Sequence, residues 1–386
     1  MAVLEKIETY RKQLIAIRQD FHEHPELGME EYRTSDTVAD LLQEWGITVH
    51  RNIGGTGIVG VLKNGTSTRS IGLRADMDAL PMEELGNLAY RSVNAGRMHA
   101  CGHDGHTTML LGAARYLAET RRFDGTVNFI FQPAEEGRGG AAAMLRDGLF
   151  EDFPCQSIFG MHNWPGLAVG RCAINAGALW AGGGFFEITV KGRGAHGARP
   201  ERAIDPMLCA CHVVTALQSI VSRNVPPYKE AVISVTRIEG GHASNVIPDS
   251  VTIGGTLRCL DPALLQDMRA RMHGVATGVA SAFGATAEVE FPVEFLPVIN
   301  DPTCTELMVA AAGDICGTEN INPAMEPVMT SEDFSYMLER VPGAYLCLGN
   351  GDTQMLHHPE YNFNDEALVF GASILSRLAE RALPVG

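Results

Sequence analysis

The segment "RMHACGHDGHT", Arg97 to Thr107, sets His99, Cys101, His103, Asp104 and His106 close together, with Gly102 and Gly105 between them. A lone histidine is more often a structural side chain than a ligand. Five donors around two glycines are another matter, because glycine lets the backbone turn sharply and gather side chains at one point. Two chemistries fit the cluster. One is metal binding; the other is nucleophilic catalysis by a Cys101 thiolate whose pKa the neighbouring histidines lower.

Other polar groups follow apolar runs. "RADMDALP" carries Asp76 and Asp78, which share one face of an extended segment. Capping or turn roles would account for them equally well. "FQPAEEGRGGA" sets Glu135 beside Glu136, a pair that can divide its work, one carboxylate binding metal and the other staying free as a general base. "GMHNWPG" reads as an apolar run leading to His162 in a turn bounded by proline and glycine, and "MLHHPEYNFND" supplies His357 and His358. Together these Cys, Glu and His donors approach the ligand count of a two-metal hydrolytic site.

The elements that must position them follow from periodicity. "VGVLK", "SIGLRADM" and "GTVNFIFQP" read as strands, and "HTTMLLGAARYLAETRR" between the last two reads as a helix. This alternation predicts an α/β layered domain with a mixed sheet and functional groups at strand ends. The middle of the chain changes to a β-α-β-β-α-β rhythm, a ferredoxin-like α+β domain inserted over 183–295 between the catalytic segments 1–182 and 296–386. Two domains suit 386 residues. With 46 acidic against 30 basic residues the formal charge is −16, which argues against nucleic acid or an anionic membrane as partner. The N-terminal stretch is charged and amphipathic, unlike a signal peptide or a membrane span, and the nine dispersed cysteines do not form a disulfide framework. A cytoplasmic protein is expected.

An ordered set of motifs runs nearly the full length: "DFHEHPELGMEE", "RADMDALP", "MHACGHDGHT", "FQPAEEG", "GMHNWP", "GRGAHGARP", "SNVIPD", "SEDFSYML" and "LHHPEYNFND". In this the chain resembles the metal-dependent N-acyl-amino-acid amidohydrolases, which include hippurate hydrolases and plant auxin-conjugate hydrolases and are akin to aminoacylases and carboxypeptidase-like metallohydrolases. The resemblance implies two divalent ions bound by Cys101, His103, Glu136, His162 and His357, and the imidazole and carboxylate ligands suit zinc, manganese, cobalt or nickel. It implies Glu135 as the general base and His358 beside rather than on the metals; metal sites commonly need a carboxylate that orients a metal histidine, and Asp78 reads as that group, with Asp104 as the alternative. A bridging thiolate would neutralise charge between two ions.

The same resemblance implies that His196 stabilises the oxyanion, often in the partner subunit of a homodimer or homotetramer, and that the inserted domain serves as lid and dimerisation surface. Asn245 and Arg258 are expected to hold the free carboxylate of the substrate, although Arg258 also suits a solvated strand position. His242 and Trp180 mark places where specificity resides or where the chain merely hinges. The expected reaction is hydrolysis of hippurate-like or N-acetyl amino acids. Competing readings are a dipeptidase or carboxypeptidase on the same site, a Cys101 thiol amidase, and a non-catalytic metal-binding sensor, against which the unliganded Glu135 argues.

Overall fold

Four apolar runs, each ended by glycine, proline or polar residues, become strands in the computed structural model, which describes residues 2–386. They are β2 (Gly57–Asn64), β3 (Ser70–Asp76), β4 (Gly125–Gln132) and β5 (Ser157–Pro165), joined by β1 (Thr48–Ile53). Strand Gly343–Gly351 and the short pieces Cys172–Ala173 and Ile321–Asn322 complete an eight-stranded sheet. β1, β2 and β4 pair antiparallel, whereas β4, β3, β5 and Gly343–Gly351 run parallel, so the sheet is mixed. β3 is buried at every residue, as expected of a central parallel strand covered on both faces.

This first unit runs to Leu179 and resumes over Ile299–Glu326 and Asp333–Gly386. Helices α1 (Glu5–Glu23), α2 (Tyr32–Glu44) and α3 (His103–Thr120) precede or cross the sheet, and helix Glu366–Ala382 packs on α3 and α1. α3 is buried over most of its length, so its apolar residues surround it rather than forming one stripe. The chain passes from "HAC" into α3 through Gly102, whose φ of +90° is where glycine is needed. Gly105 serves a different purpose from the sharp turn expected of it. It lies inside α3, and a Cβ there would come within 2.2 Å of the Phe363 ring.

The second unit spans Trp180–Val298 with Pro327–Glu332. Its antiparallel sheet has the order Ala231–Glu239, Ser250–Cys259, Gly182–Lys191, Thr286–Phe295, with helices Pro206–Ser219 and Pro262–Ala282 supplying the β-α-β-β-α-β sequence. Asp205 and Asp261 cap these helices, each accepting two backbone N–H groups, and a proline follows each cap. Ile188, Val213, Leu217, Ile253, Met268 and Met272 fill its core. Ala181 N–H donates to Val328 O and Thr330 O at 3.0 and 2.9 Å, which ties 327–332 to this unit. A ribbon of Ala195–His196 against Val246–Ile247 stands apart from the main sheet. Among the described residues no helix is long and apolar enough to cross a membrane.

Alanine normally stabilises a helix relative to glycine, by about 1 kcal/mol. Gly105→Ala should do the reverse, lowering stability by about 1–3 kcal/mol through overpacking against Phe363. The urea midpoint measures it, and an unchanged or raised midpoint would show that the ring moves aside freely.

Candidate metal centre

The parallel strands β3, β4 and β5 deliver their carboxyl ends to one edge of the first unit, the usual place for a site in such sheets. β3 ends at Asp76, two residues before Asp78. β4 ends at Gln132, followed by Pro133, Ala134, Glu135 and Glu136. Asp78 Oδ1 and Oδ2 accept the N–H groups of Glu135 and Glu136, both at 3.0 Å, and Asp78 Oδ1 lies 3.2 Å from Nδ1 of His103, the first residue of α3. One carboxylate thereby joins the β3, β4 and α3 ends. Of the two carboxylates considered for orienting a metal histidine, Asp78 faces His103, while Asp104 faces His22 instead.

His162 departs from expectation. It lies within β5 rather than in a turn, because Pro165 occupies the last strand position, where its missing N–H breaks no further ladder, and His162 pairs in register with Cys347. Its Nδ1–H donates to Asn163 O at 2.7 Å, so the lone pair on Nε2 faces Cys101 Sγ, 3.4 Å away. His357 has φ +63°, its N–H donates to Ala100 O at 2.8 Å, and its Nε2 stands 3.2 Å from Glu136 Oε1.

These side chains fall into two triads whose donor atoms lie within 4.8 Å of one another: Cys101, His103 and His162, and Cys101, Glu136 and His357. Cys101 belongs to both. The donor set fits a pair of borderline divalent ions, being thiolate, imidazole and carboxylate. His103 Nε2 supports the fit from another direction, since it is buried without a hydrogen-bond partner, an arrangement that is costly unless a bound group meets that nitrogen. Burial and the carboxylates of Glu136 and Glu135 push the Cys101 thiol far above its usual range. Burial would depress His103, but Asp76 and Asp78 overcome it and raise its pKa to about 10. Burial and the neighbouring His106 hold His162 well below the ordinary histidine range.

Several participants carry no role in the motif reading. Asp76 Oδ1 lies 2.6 Å from His106 Nδ1, and His106 Nε2 accepts the Asn163 N–H at 3.0 Å. Asn163 Nδ2 donates to Cys101 O at 2.7 Å, and Tyr361 O–H donates to Asn163 Oδ1 at 2.6 Å, so Asn163 clamps the Cys101 loop to β5. The spacing of His103 and His106, three apart on one helix face, is the sequence signal that would have paired them. Asn163 has no such signal.

His196, Asn245 and Arg258 belong to the second unit. His196 and Asn245 are exposed, on the ribbon and in the loop before it pairs, where the Gly197 N–H donates to Asn245 O at 2.7 Å. Arg258 Nη1 donates to Gly184 O and Leu257 O of its own sheet. His242 lines an open cleft with Asp205, Met207 and Pro248, Trp180 is buried, and His358 Nδ1 accepts the Glu360 N–H at 3.1 Å.

Residues 72–381 match the profile of Peptidase family M20/M25/M40. The chain belongs to this family. It is 42% identical over 383 residues to a hippurate hydrolase of Campylobacter jejuni, covering 99% of this chain and 100% of that protein. It is 38% identical to an N-acetyl-L-cysteine deacetylase of Bacillus subtilis, over 98% of this chain and 90% of that protein. A solved dinuclear metal-binding peptidase of the M20 family from Bacillus subtilis superposes with a TM-score of 0.84 at 35% identity, over 96% of this chain and 98% of that one.

In this member of the family the start of α3 is braced from behind by α1. His22 is fully buried, its Nδ1 2.8 Å from Asp104 Oδ2 and its Nε2 3.4 Å from Glu84 Oε1. Burial lowers its pKa, but Asp104 and Glu84 more than reverse this and raise it from 6.5 to about 9. The folded state therefore holds the proton more tightly than the unfolded one. The resulting stability is fully present below the unfolded value of 6.5 and is lost as pH rises through about 9. The stability difference between wild type and His22→Gln, measured by denaturant unfolding, should shrink by about 3 kcal/mol between pH 6 and pH 10. A difference that stays flat across this range would mean that the folded protein binds the His22 proton no more tightly than the unfolded chain does.

Proposed function

We propose that the chain hydrolyses the amide bond of N-acyl amino acids, hippurate-like and N-acetyl compounds foremost, with two divalent metal ions. The observation that carries this reading is the pair of triads sharing Cys101, with Glu135 at their side. Hippurate hydrolase and N-acetyl-L-cysteine deacetylase among the relatives support the substrate class. Cys101, His103, Glu136, His162 and His357 would hold the ions, which when bound activate water and polarise the scissile carbonyl. Zinc, manganese, cobalt and nickel all suit these ligands.

Glu135 Oε1 accepts the Asp333 N–H at 3.2 Å, which fixes the carboxylate while it serves as base. It takes a proton from the attacking water and returns it to the departing nitrogen, so the acyl group leaves as a carboxylic acid and the amino acid as a free amine. Asp78 keeps His103 in one tautomer and orientation. A Cys101 thiol nucleophile is disfavoured, because its pKa is pushed up and that of His162 down, the opposite of a thiolate–imidazolium pair.

The remaining roles fall to the second unit. His196 Nδ1 accepts the Ala198 N–H at 3.1 Å, so a neutral His196 carries its proton on Nε2 and is a donor for a developing oxyanion. We assign that donor to the site of a neighbouring subunit in a homodimer or homotetramer, with 183–295 as lid and dimerisation domain. We assign the substrate carboxylate to exposed Asn245, with Arg258 joining it if its guanidinium leaves the Gly184 and Leu257 carbonyls. A cytoplasmic setting keeps Cys101 reduced.

On a panel of hippurate, N-acetyl amino acids and free dipeptides, the metal-reconstituted protein should cleave the acyl compounds, and chelation should abolish turnover. A preference for dipeptides would make it a peptidase, and full turnover after chelation would remove the metals from the reaction. Glu135→Gln should lower turnover about a hundredfold or more with metal content near normal, whereas replacing Glu136 should lose metal. The reverse pattern would exchange their roles. For His196 the test is complementation: inactive His196→Ala and inactive Glu135→Gln proteins, mixed under verified subunit exchange, should regain about a quarter of wild-type activity, since half the dimers are mixed and each has one intact site. A mixture that stays inactive places His196 in its own chain's site.

A further inference from the structure

We propose that Glu31 is a positioning residue for Glu135: its buried carboxylate holds the Ala134 backbone in the left-handed conformation from which the chain turns out of β4 into Glu135 and Glu136. The inference rests on the reading of Glu135 as general base and adds a residue outside the metal centre. Ala134 has φ +54°, a region that residues with a Cβ avoid because the side chain crowds the backbone. Something must hold it there. Glu31 is completely buried, and its Oε1 accepts the Ala134 N–H at 2.8 Å. Its Oε2 accepts the Thr56 O–H at 2.5 Å, and the Thr56 carbonyl is fixed in turn by the Ser35 hydroxyl at 2.8 Å.

Three successive amides are thus pinned by two buried carboxylates, Ala134 by Glu31 and Glu135 and Glu136 by Asp78. The segment leading to Glu31 is shaped for the contact. A Cβ on Gly28 would sit 2.9 Å from both Cα and Cβ of Ala134, so glycine is what allows the two backbones to approach. An uncompensated carboxylate is costly to bury, as the rise of the Glu31 pKa to about 7 through burial and Asp78 reflects. A group retained at that cost needs a purpose, and the Ala134 amide supplies one.

Because the contact is a hydrogen bond to an acceptor oxygen, glutamine should replace glutamate while alanine should not. Glu31→Ala should lower kcat about tenfold or more, as displacement of a reacting group does, and leave KM within about threefold. Glu31→Gln should stay within about threefold of wild type in both. Adding Ala134→Gly to Glu31→Ala should recover most of kcat, since glycine adopts positive φ without help. In metal-free protein, hydrogen exchange of the segment holding Ala134 to Glu136 should quicken about tenfold or more in Glu31→Ala and stay protected in Glu31→Gln. Should Glu31→Ala fail to accumulate folded, Glu31→Asp, one methylene short of the amide, replaces it with the same expectations. Wild-type kcat and protection in the folded variant would overturn the proposal, as would a Glu31→Gln protein as impaired as Glu31→Ala, or failure of Ala134→Gly to rescue. Glu135→Gln in the same assay separates the two readings. If it remains active, Glu135 is not the base; if it is inactive while Glu31→Ala is normal, only the role of Glu31 falls.

Discussion

Asp78 is the constraint on which the site depends. Its two oxygens face three groups from two different elements: the N–H groups of Glu135 and Glu136 after β4, and the ring of His103 at the start of α3. Those groups lie far apart in sequence, and none would hold its place alone, because short loops after strands have many conformations to lose on ordering. A carboxylate buried among backbone donors makes charge-assisted hydrogen bonds, stronger and more directional than neutral ones. The proposed base, one proposed carboxylate ligand and one proposed imidazole ligand therefore take their positions from a single side chain.

The sheet makes this convergence possible. β3 and β4 are adjacent and parallel, with Asp76 opposite Gln132, so the residues following them emerge side by side. β5 lies on the other side of β3 and carries His162 within the strand, on the rigid part of the ladder. Rigidity matters because a ligand set preorganised by the fold loses little entropy when it closes on ions. α3 completes the edge, and its burial between sheet and helices gives Cys101 and His103 a low-dielectric setting in which charge interactions are strong.

Much of this was legible in sequence wherever function is written in contiguous residue types. The His and Cys cluster, the paired glutamates and the β-α-β-β-α-β rhythm each follow from local composition and period. What escaped was contact between distant segments. Nothing in "GMHNWPG" tells that Pro165 is the last strand residue rather than the breaker of a turn, since that depends on which neighbour the strand meets. Gly105 looks like a turn glycine beside Gly102, yet its reason is the Phe363 ring, more than two hundred and fifty residues away in the chain. Asn163 and Glu31 follow the same logic. Each is an ordinary polar residue locally, and only tertiary placement gives it a backbone group to hold.

The balance of charge around the centre separates its inner donors from their supports. Arg74 is buried with Asp76 at 2.7 Å and Asp333 at 3.4 Å, and Arg18 lies 3.7 Å from Asp104, so the outer carboxylates have guanidinium partners within the fold. Glu136 meets His357 at 3.2 Å, an imidazole that is half exposed. Cys101, fully enclosed beside Glu136 and Glu135, has its ionised form driven up in energy by the same carboxylates. A fold that neutralises its outer acids with arginine sets its inner thiol beside two carboxylates, and added positive charge would stabilise the ionised form of that thiol. Divalent ions held by the proposed ligands would supply that charge, since a thiol that coordinates a metal is deprotonated outright. Ion binding would then be coupled to ionisation of these side chains, and proton release would accompany it.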